Sequence, residues 1–149
     1  MARAFRLQVL LEVYQHRLDA ATQELQRLRN HWSAAQSKLD QLQAYHAEYA
    51  DGLRTRLAEG LPSHQLRDYR VFLDKLSRAI EAQGEEVQRR RLMWEEEHSR
   101  WMQLRQRQQA LLVLAERHRL AEVASAARRE QKEQDEFALR SGEKSLRNR

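Results

Sequence analysis

The sequence contains no cysteine, only one proline and only four glycines among its 149 residues. Without cysteine, disulfides, thiolate metal ligands and thiol nucleophiles are excluded, which fits a reducing compartment. Average usage would give roughly eighteen glycines and prolines together, so helix breakers are scarce and long helices are expected. No apolar run is long enough to span a membrane, and Gln8 and Glu12 interrupt the apolar patch at the start. We therefore expect a cytoplasmic protein with no signal peptide and no direct membrane insertion.

Aromatic residues are also few, at 7%, whereas charged residues make up 33% and apolar residues 41%. This balance is too apolar for a disordered chain and too polar for a thick globular core. The net charge of +5 permits an acidic partner, but arginines and glutamates are interspersed nearly everywhere. Such mixing is typical of a solvated helix surface with local ion pairs and not of a phosphate-binding face. We expect no nucleic-acid binding.

A first apolar seam begins at Leu7 and ends at Leu53, with steps that alternate between four and three residues. A period of 3.5 residues places one stripe along one side of a helix and requires a facing helix. His46 fills the single polar slot in the series. The apolar positions of this seam are Leu7, Leu11, Tyr14, Leu18, Ala21, Leu25, Leu28, Trp32, Ala35, Leu39, Leu42, Tyr49 and Leu53.

A second seam follows the only proline and repeats every seven residues. Its main positions are Leu66, Leu73, Ile80, Val87, Trp94 and Trp101, with companions at Tyr69, Leu76, Gln83, Arg90, Glu97, Leu104 and Leu111. The three polar companions weaken the middle of this seam, so local unwinding or a partner contact is expected there.

The helix breakers are concentrated between the two seams. Gly60 is suited to the left-handed conformation that ends a helix, Pro62 cannot continue one, and Ser63 is suited to cap the next. Two helices joined by so short a turn must lie antiparallel, which buries both seams against each other.

The predicted fold is therefore all-α, an antiparallel coiled-coil hairpin over residues 1–138 in which helix two is longer than helix one. Helix one is expected at about 3–58, the turn at 59–63 and helix two at about 64–138, followed by a disordered basic tail at 139–149. Because helix two is longer, antiparallel pairing should end near residue 120.

The sequence offers little that points to catalysis. No two of the six histidines lie three or four residues apart, as helical zinc sites require. There is no phosphate-binding glycine loop, and a two-helix hairpin has no interior cleft to shift carboxylate pKa values. We predict no catalytic residues, no metal, no cofactor and no enzymatic activity.

Aromatic residues cluster near the turn instead. Tyr49 and Tyr69 fit seam positions and are expected to pack there. Tyr45 and Phe72 directly precede seam positions, and such flanking positions are half exposed on a two-stranded coil. Together with Ala79 they would form an apolar patch that a partner could cover.

These residues carry a resemblance to a known family. QLQAYHAEYADGL, a short turn and DYRVFLDKLSRAIEAQ closely resemble the same region of the FliJ family of the bacterial flagellar type III export apparatus. The segment EQKEQDEFALR resembles the ending QK-x-x-DEFA-x-R of that family. The matching residues of this ending are Gln131, Lys132, Asp135, Glu136, Phe137, Ala138 and Arg140.

The resemblance implies a two-helix stalk inside the hexameric ring of the export ATPase, where the end with both termini promotes ring assembly and ATP hydrolysis. It also implies binding to the ATPase regulator, the cytoplasmic linker of the export gate membrane protein and substrate-specific export chaperones. The protein would then be cytoplasmic and peripherally associated with the inner membrane, with a role in flagellar assembly and motility. The gate-binding face maps onto Leu42, Tyr45, Tyr49, Phe72, Leu76 and Ala79.

At the edges of that face the sequence departs from the family pattern, because Lys38 replaces a familiar glutamine and Gln83 a familiar histidine. Two alternatives remain open. One is the equivalent stalk of a virulence type III secretion injectisome, and the other is a coiled-coil scaffold unrelated to export.

Overall fold

The computed structural model describes residues 2–148, and two helices account for nearly all of them. Helix α1 is Ala2–Glu59 and helix α2 is Ser63–Arg147, and no strand occurs between residues 2 and 148. The helices pack against each other as a helical hairpin, so the predicted all-α hairpin with a longer second helix is confirmed. Met1 and Arg149, which bound the predicted domain and tail, lie outside the described residues.

The far end of α2 differs from the expectation of a disordered tail after residue 138. The helix continues to Arg147. The segment ALRSGEKSLR consists mostly of good helix formers, and its single glycine costs only about 1 kcal/mol relative to alanine. Lys144 and Arg147 also lie in the last turn, where cations interact favourably with the helix dipole.

The turn reverses the chain at Gly60, whose φ of 95° lies in the left-handed region. Its N–H donates to the Leu57 carbonyl at 3.3 Å, which closes α1. The Pro62 carbonyl accepts from Leu66 N at 3.1 Å, the first hydrogen bond of α2. Pro62 therefore occupies the cap position that the sequence assigned to Ser63, and Ser63 begins the helix.

The chain divides into two compact units, each of which contains part of both helices. The turn unit is Leu18–Gln103, and the terminal unit consists of the residues up to Arg17 and from Leu104 onward. In the turn unit the buried side chains all hold predicted seam positions. They are Leu18, Ala21, Leu28, Ala35 and Val87.

The polar companions of the second seam do not interrupt α2, which is helical throughout. Gln83 Nε2 donates to the Ala35 carbonyl on α1 at 3.0 Å. Arg90 Nε donates to Glu86 at 2.7 Å, and Glu97 accepts from Arg100 at 3.0 Å. Because these polar groups have hydrogen-bond partners, the helix has no reason to unwind at this point.

The terminal unit continues the same packing over a short length. Leu7 is buried, and Gln108 Nε2 donates to Gln15 Oε1 on α1 at 2.6 Å. Every residue from Arg119 to Asn148 is exposed, and Arg119 and Glu122 still line a groove with residues of α1. The part of α2 beyond Glu122 gains little stability from burial within the chain.

Candidate partner-binding surfaces

The six residues predicted to bind the export gate all lie in the turn unit. Leu42 and Leu76 are half-buried in the seam, and Ala79 is exposed. Tyr45 is 53% exposed, and Tyr49 and Phe72 are each 43% exposed. The structure thus leaves three aromatic side chains accessible within one short stretch of the hairpin.

The position of these residues in the heptad explains why they share one side. Tyr45 precedes the seam residue His46, and Phe72 and Ala79 precede the seam residues Leu73 and Ile80. In an antiparallel pair, positions of this type on the two helices line the same flank. We call Tyr45, Tyr49, Phe72 and Ala79 the aromatic flank.

Tyr49 and Phe72 hold the centre of the aromatic flank together. Their ring centroids lie 4.8 Å apart with an interplanar angle of 59°, a favourable tilted arrangement. With Tyr69 and Asp68 they line a shallow hollow. Tyr49 was expected to pack in the seam, but it is 43% exposed and its ring contacts Phe72 of α2.

At the edge of the aromatic flank, the negative charge of Glu86 is compensated by neighbouring cations. Arg90 donates a hydrogen bond to Glu86 and so holds the pKa of this carboxyl below its ordinary value, with further contributions from the charges of Arg89, Arg90 and Lys38. The charge of Lys38 thus favours the ionised form of Glu86. Of the two positions that depart from the family pattern, Gln83 also bonds within the hairpin, to the Ala35 carbonyl.

His46, the polar slot of the first seam, is half-buried and shares a hydrogen bond of 3.2 Å with Ser77 Oγ on α2. The histidine thus connects the two helices close to the aromatic flank. Because its ring nitrogen has a hydrogen-bond partner within the hairpin, His46 has the environment of a structural residue.

The predicted family ending lies on the exposed part of α2. Gln131 Nε2 donates to Asp135 at 3.1 Å, one helical turn away. Phe137 is 72% exposed, which is unusual for a phenylalanine without a partner. The whole motif is presented to solvent. Its residues are Gln131, Lys132, Asp135, Glu136, Phe137, Ala138 and Arg140.

One further surface was not found from the sequence. In the terminal unit, apolar side chains also occupy outer helix positions that the seam does not use. We call these the terminal apolar surface. They are Phe5, Val9, Leu10, Val13, Leu112, Val113 and Leu114, each at least 38% exposed. The run LLVL at 111–114 could have indicated this surface, because a single seam requires only one of these four apolar side chains.

An apolar groove adjoins the terminal apolar surface within the same unit. Leu7 and Leu11 of α1 and Leu112 and Ala115 of α2 line it, together with polar side chains that include Gln8 and His118.

No group of three or more metal-binding side chains is gathered within residues 2–148. Over the same residues, no helix combines the length and hydrophobicity needed to cross a membrane.

Comparison with known proteins identifies relatives along nearly the whole chain. The model of the family described as "Flagellar FliJ protein" matches residues 3–147. The Flagellar FliJ protein of Salmonella typhi is 28% identical over 141 residues, which cover 95% of this chain and 96% of that protein. The Flagellar FliJ protein of Escherichia coli K12 is 27% identical with the same coverage. No solved structure matches the chain.

Proposed function

We propose, since the chain belongs to the flagellar FliJ family, that it is the central stalk of the ATPase ring that drives flagellar protein export. Family membership makes it a component of the flagellar export apparatus. In the proposed role it promotes ring assembly and ATP hydrolysis, docks on the export gate and escorts export chaperones. It acts by binding these partners and not as an enzyme. It is held in the cytoplasm, at the inner membrane, through the apparatus.

The observation that carries the stalk role is the terminal apolar surface. A two-helix coil is only about 20 Å across, which suits the interior of a protein ring. Outer positions of a free coiled coil are normally polar, yet here Phe5, Val113 and Leu114 are all at least half exposed. Apolar contact is non-directional, so such a surface suits several equivalent ring subunits at once.

The test is the ATP hydrolysis rate of the cognate ring enzyme with and without this protein. We expect the protein to raise the rate, and we expect Val113→Glu to reduce that stimulation at least tenfold. Val113 is 52% exposed, so the substitution should leave helicity and the melting temperature nearly unchanged.

Leu92→Glu is the matched control, because Leu92 is 57% exposed and lies in the turn unit. It introduces the same charge and should retain the stimulation. Equal losses in the two variants, or no stimulation by the wild type, would contradict the stalk role.

Gate docking is assigned to the aromatic flank. Tyr45 and Phe72 present large apolar rings at half exposure, and aromatic side chains of this kind dominate the binding energy of protein interfaces. A bound partner segment would bury Tyr45 and Phe72 further. Leu42 and Leu76, which are already half-buried, would lie beneath them. The neutralised edge at Lys38 and Glu86 would form the polar rim.

Tyr45→Ala and Phe72→Ala should each weaken binding to the purified cytoplasmic part of the export gate protein by about tenfold or more, as hot-spot truncations do. Calorimetric titration measures the affinity, and circular dichroism should show nearly unchanged helicity. Val71→Ala is the control, since Val71 is exposed to a similar degree (49%) and adjoins Phe72 in sequence. If either aromatic variant instead lost much of its thermal stability, its ring would belong to the core and not to a docking surface.

The injectisome stalk and the unrelated scaffold are distinguished from this role in cells. Deletion of the gene should abolish swimming and flagellar filament assembly. A motile deletion strain would exclude the flagellar role.

A further inference from the structure

All three tryptophans of the chain lie in one aromatic ladder in the turn unit. The Trp32 ring on α1 lies 5.8 Å from the Trp94 ring on α2. His98 stacks on Trp94 at 4.8 Å and on Trp101 at 6.0 Å. The ladder is half-buried, so it is partly seam and partly surface.

Arg29 covers the end of this ladder. Its guanidinium carbon lies 4.5 Å from the Trp32 ring centroid and 5.9 Å from that of Trp94. A guanidinium that stacks on a ring uses its flat face and leaves the N–H donors at its edge available for a carboxylate. Within the described chain Arg29 forms no ion pair, although it is exposed. The guanidinium of Arg29 is thus held in place by the two rings, but it has no acidic partner within the described chain.

The heptad positions that share this flank with Arg29 carry no acidic residue. On this flank the positions directly after seam residues are Thr22, Arg29 and Gln36 on α1 and Gly84, Arg91 and His98 on α2. None is acidic. Arg91 forms an ion pair with Glu95, with its Nε 3.7 Å from the carboxylate, so of the two arginines only Arg29 lacks an acidic partner within residues 2–148. We call Arg29, Arg91, His98 and the three ladder tryptophans the basic flank.

On the aromatic flank the carboxylate of Glu86 lies among compensating cations, whereas the charge of Arg29 on the basic flank is not compensated by a carboxylate within residues 2–148.

A shallow groove on α1 extends the basic flank from Arg29 and Trp32 past Ser33 and Gln36. Asp40 closes its far end and accepts a hydrogen bond of 3.0 Å from Gln36 Nε2. Along the groove lie the guanidinium of Arg29, the ring of Trp32 and serine hydroxyl groups, and the carboxylate of Asp40 lies at its far end.

We propose that the basic flank is a docking surface for an acidic segment of a partner protein. A carboxylate of that segment binds the edge of the Arg29 guanidinium, and a neighbouring apolar side chain covers the exposed part of Trp32 and Trp94. The occupant follows from charge complementarity, since the Arg29 guanidinium is exposed, is held against two tryptophan rings and has no acidic partner within residues 2–148. This surface is separate from the aromatic flank and holds whether or not the stalk role does.

A protein segment fits this surface better than an anionic membrane does. Insertion into a bilayer interface requires aromatic rings that project freely, whereas Trp32, Trp94 and Trp101 are all half-buried. Trp101 is further fixed by its Nε1–H, which donates to Thr22 Oγ1 at 3.0 Å.

Intrinsic tryptophan fluorescence reports on this flank alone, because the chain has no tryptophan elsewhere. The probe is a synthetic amphipathic helical peptide of glutamate and leucine, with a peptide of glutamine and leucine as its neutral counterpart. We expect the acidic peptide to shift and saturate the fluorescence of the full chain, and the neutral one to bind at least tenfold more weakly. Arg29→Gln should weaken binding of the acidic peptide about tenfold or more.

Arg78→Gln is the charge-matched control, since Arg78 pairs with Asp74 at 3.0 Å on an exposed position away from the ladder. It should bind the acidic peptide like the wild type. Equal losses in both variants would show general charge attraction and overturn the proposal, and so would the absence of any saturable shift.

Vesicles of phosphatidylglycerol and phosphatidylcholine form the other arm of the experiment. A fluorescence shift with vesicles but not with the acidic peptide would assign the flank to lipid and overturn the proposal. Circular dichroism of Arg29→Gln checks that a lost response is not a lost fold.

Discussion

Leu28→Asp is expected to abolish the cooperative melting of the turn unit, the largest effect on stability of any single substitution considered. Leu28 is 4% exposed, the lowest value in the buried core. Aspartate there removes a leucine worth about 2–5 kcal/mol and adds a carboxylate without a partner, a further cost of several kcal/mol. Small proteins are stable by only about 5–15 kcal/mol, and a core one seam wide has no second layer to compensate. Far-UV circular dichroism on heating measures the outcome.

Two companion variants show that burial causes the loss. Leu92→Asp makes the same chemical change at a side chain that is 57% exposed, and it should alter stability by no more than about 0.5 kcal/mol. Leu28→Ala should fall between them, with a loss of about 2–5 kcal/mol. A Leu28→Asp protein that melts like the wild type would mean that the two seams do not face each other.

The fold was predictable from the sequence because a coiled coil encodes its core in a single period. Leu18, Leu28 and Val87 are spaced by that period, and all three are buried. The turn was also predictable from the sequence, since Gly60 adopts the positive φ expected of a residue that ends a helix. What the period does not give is where an exposed helix ends. No packing boundary marks a stop after residue 138, so propensity alone carries α2 to Arg147.

The candidate site was partly predictable for the same reason. Tyr45 and Phe72 fall one residue before seam positions, and this offset alone places them on the surface at 53% and 43% exposure. Which side chains meet across the hairpin depends on the register of the two helices, which heptad spacing leaves open. The contacts of Tyr49 with Phe72, Gln83 with the Ala35 carbonyl and Arg29 with Trp94 therefore emerge only from the structure.

The terminal apolar surface was missed for a different reason. The seam includes Leu111 but not Val113 or Leu114, so the period predicts nothing about these two side chains. Scattered exposed leucines are ordinary in proteins, whereas three consecutive exposed apolar residues on a thin coil are not. Sequence patterns of period 3.5 thus identify the core well and understate the surfaces that partners use.

Ending the chain after Glu122 is expected to separate function from stability more completely than any point variant. Glu122 lines the terminal groove together with Leu7 and Leu11, whereas every residue from Val123 to Asn148 is exposed. Exposed helix contributes little packing energy, so the melting temperature should fall by no more than about 3 °C, the effect of roughly 1 kcal/mol at this size. Stimulation of the export ATPase, by contrast, should fall at least tenfold, because the removed segment carries Phe137 at 72% exposure and the whole family ending.

Phe137→Ala in the full-length chain distinguishes the ending from the rest of the removed segment. A side chain that is 72% exposed without a partner contributes almost nothing to the fold, so any loss of stimulation in this variant reflects a lost contact with the ATPase ring. If the truncated chain melts far below the wild type, the exposed part of α2 is covered within the protein and the stalk geometry is wrong. If it melts normally and still stimulates fully, the contact with the ring lies on the terminal apolar surface alone, and Val113→Glu should then remove what the truncation does not.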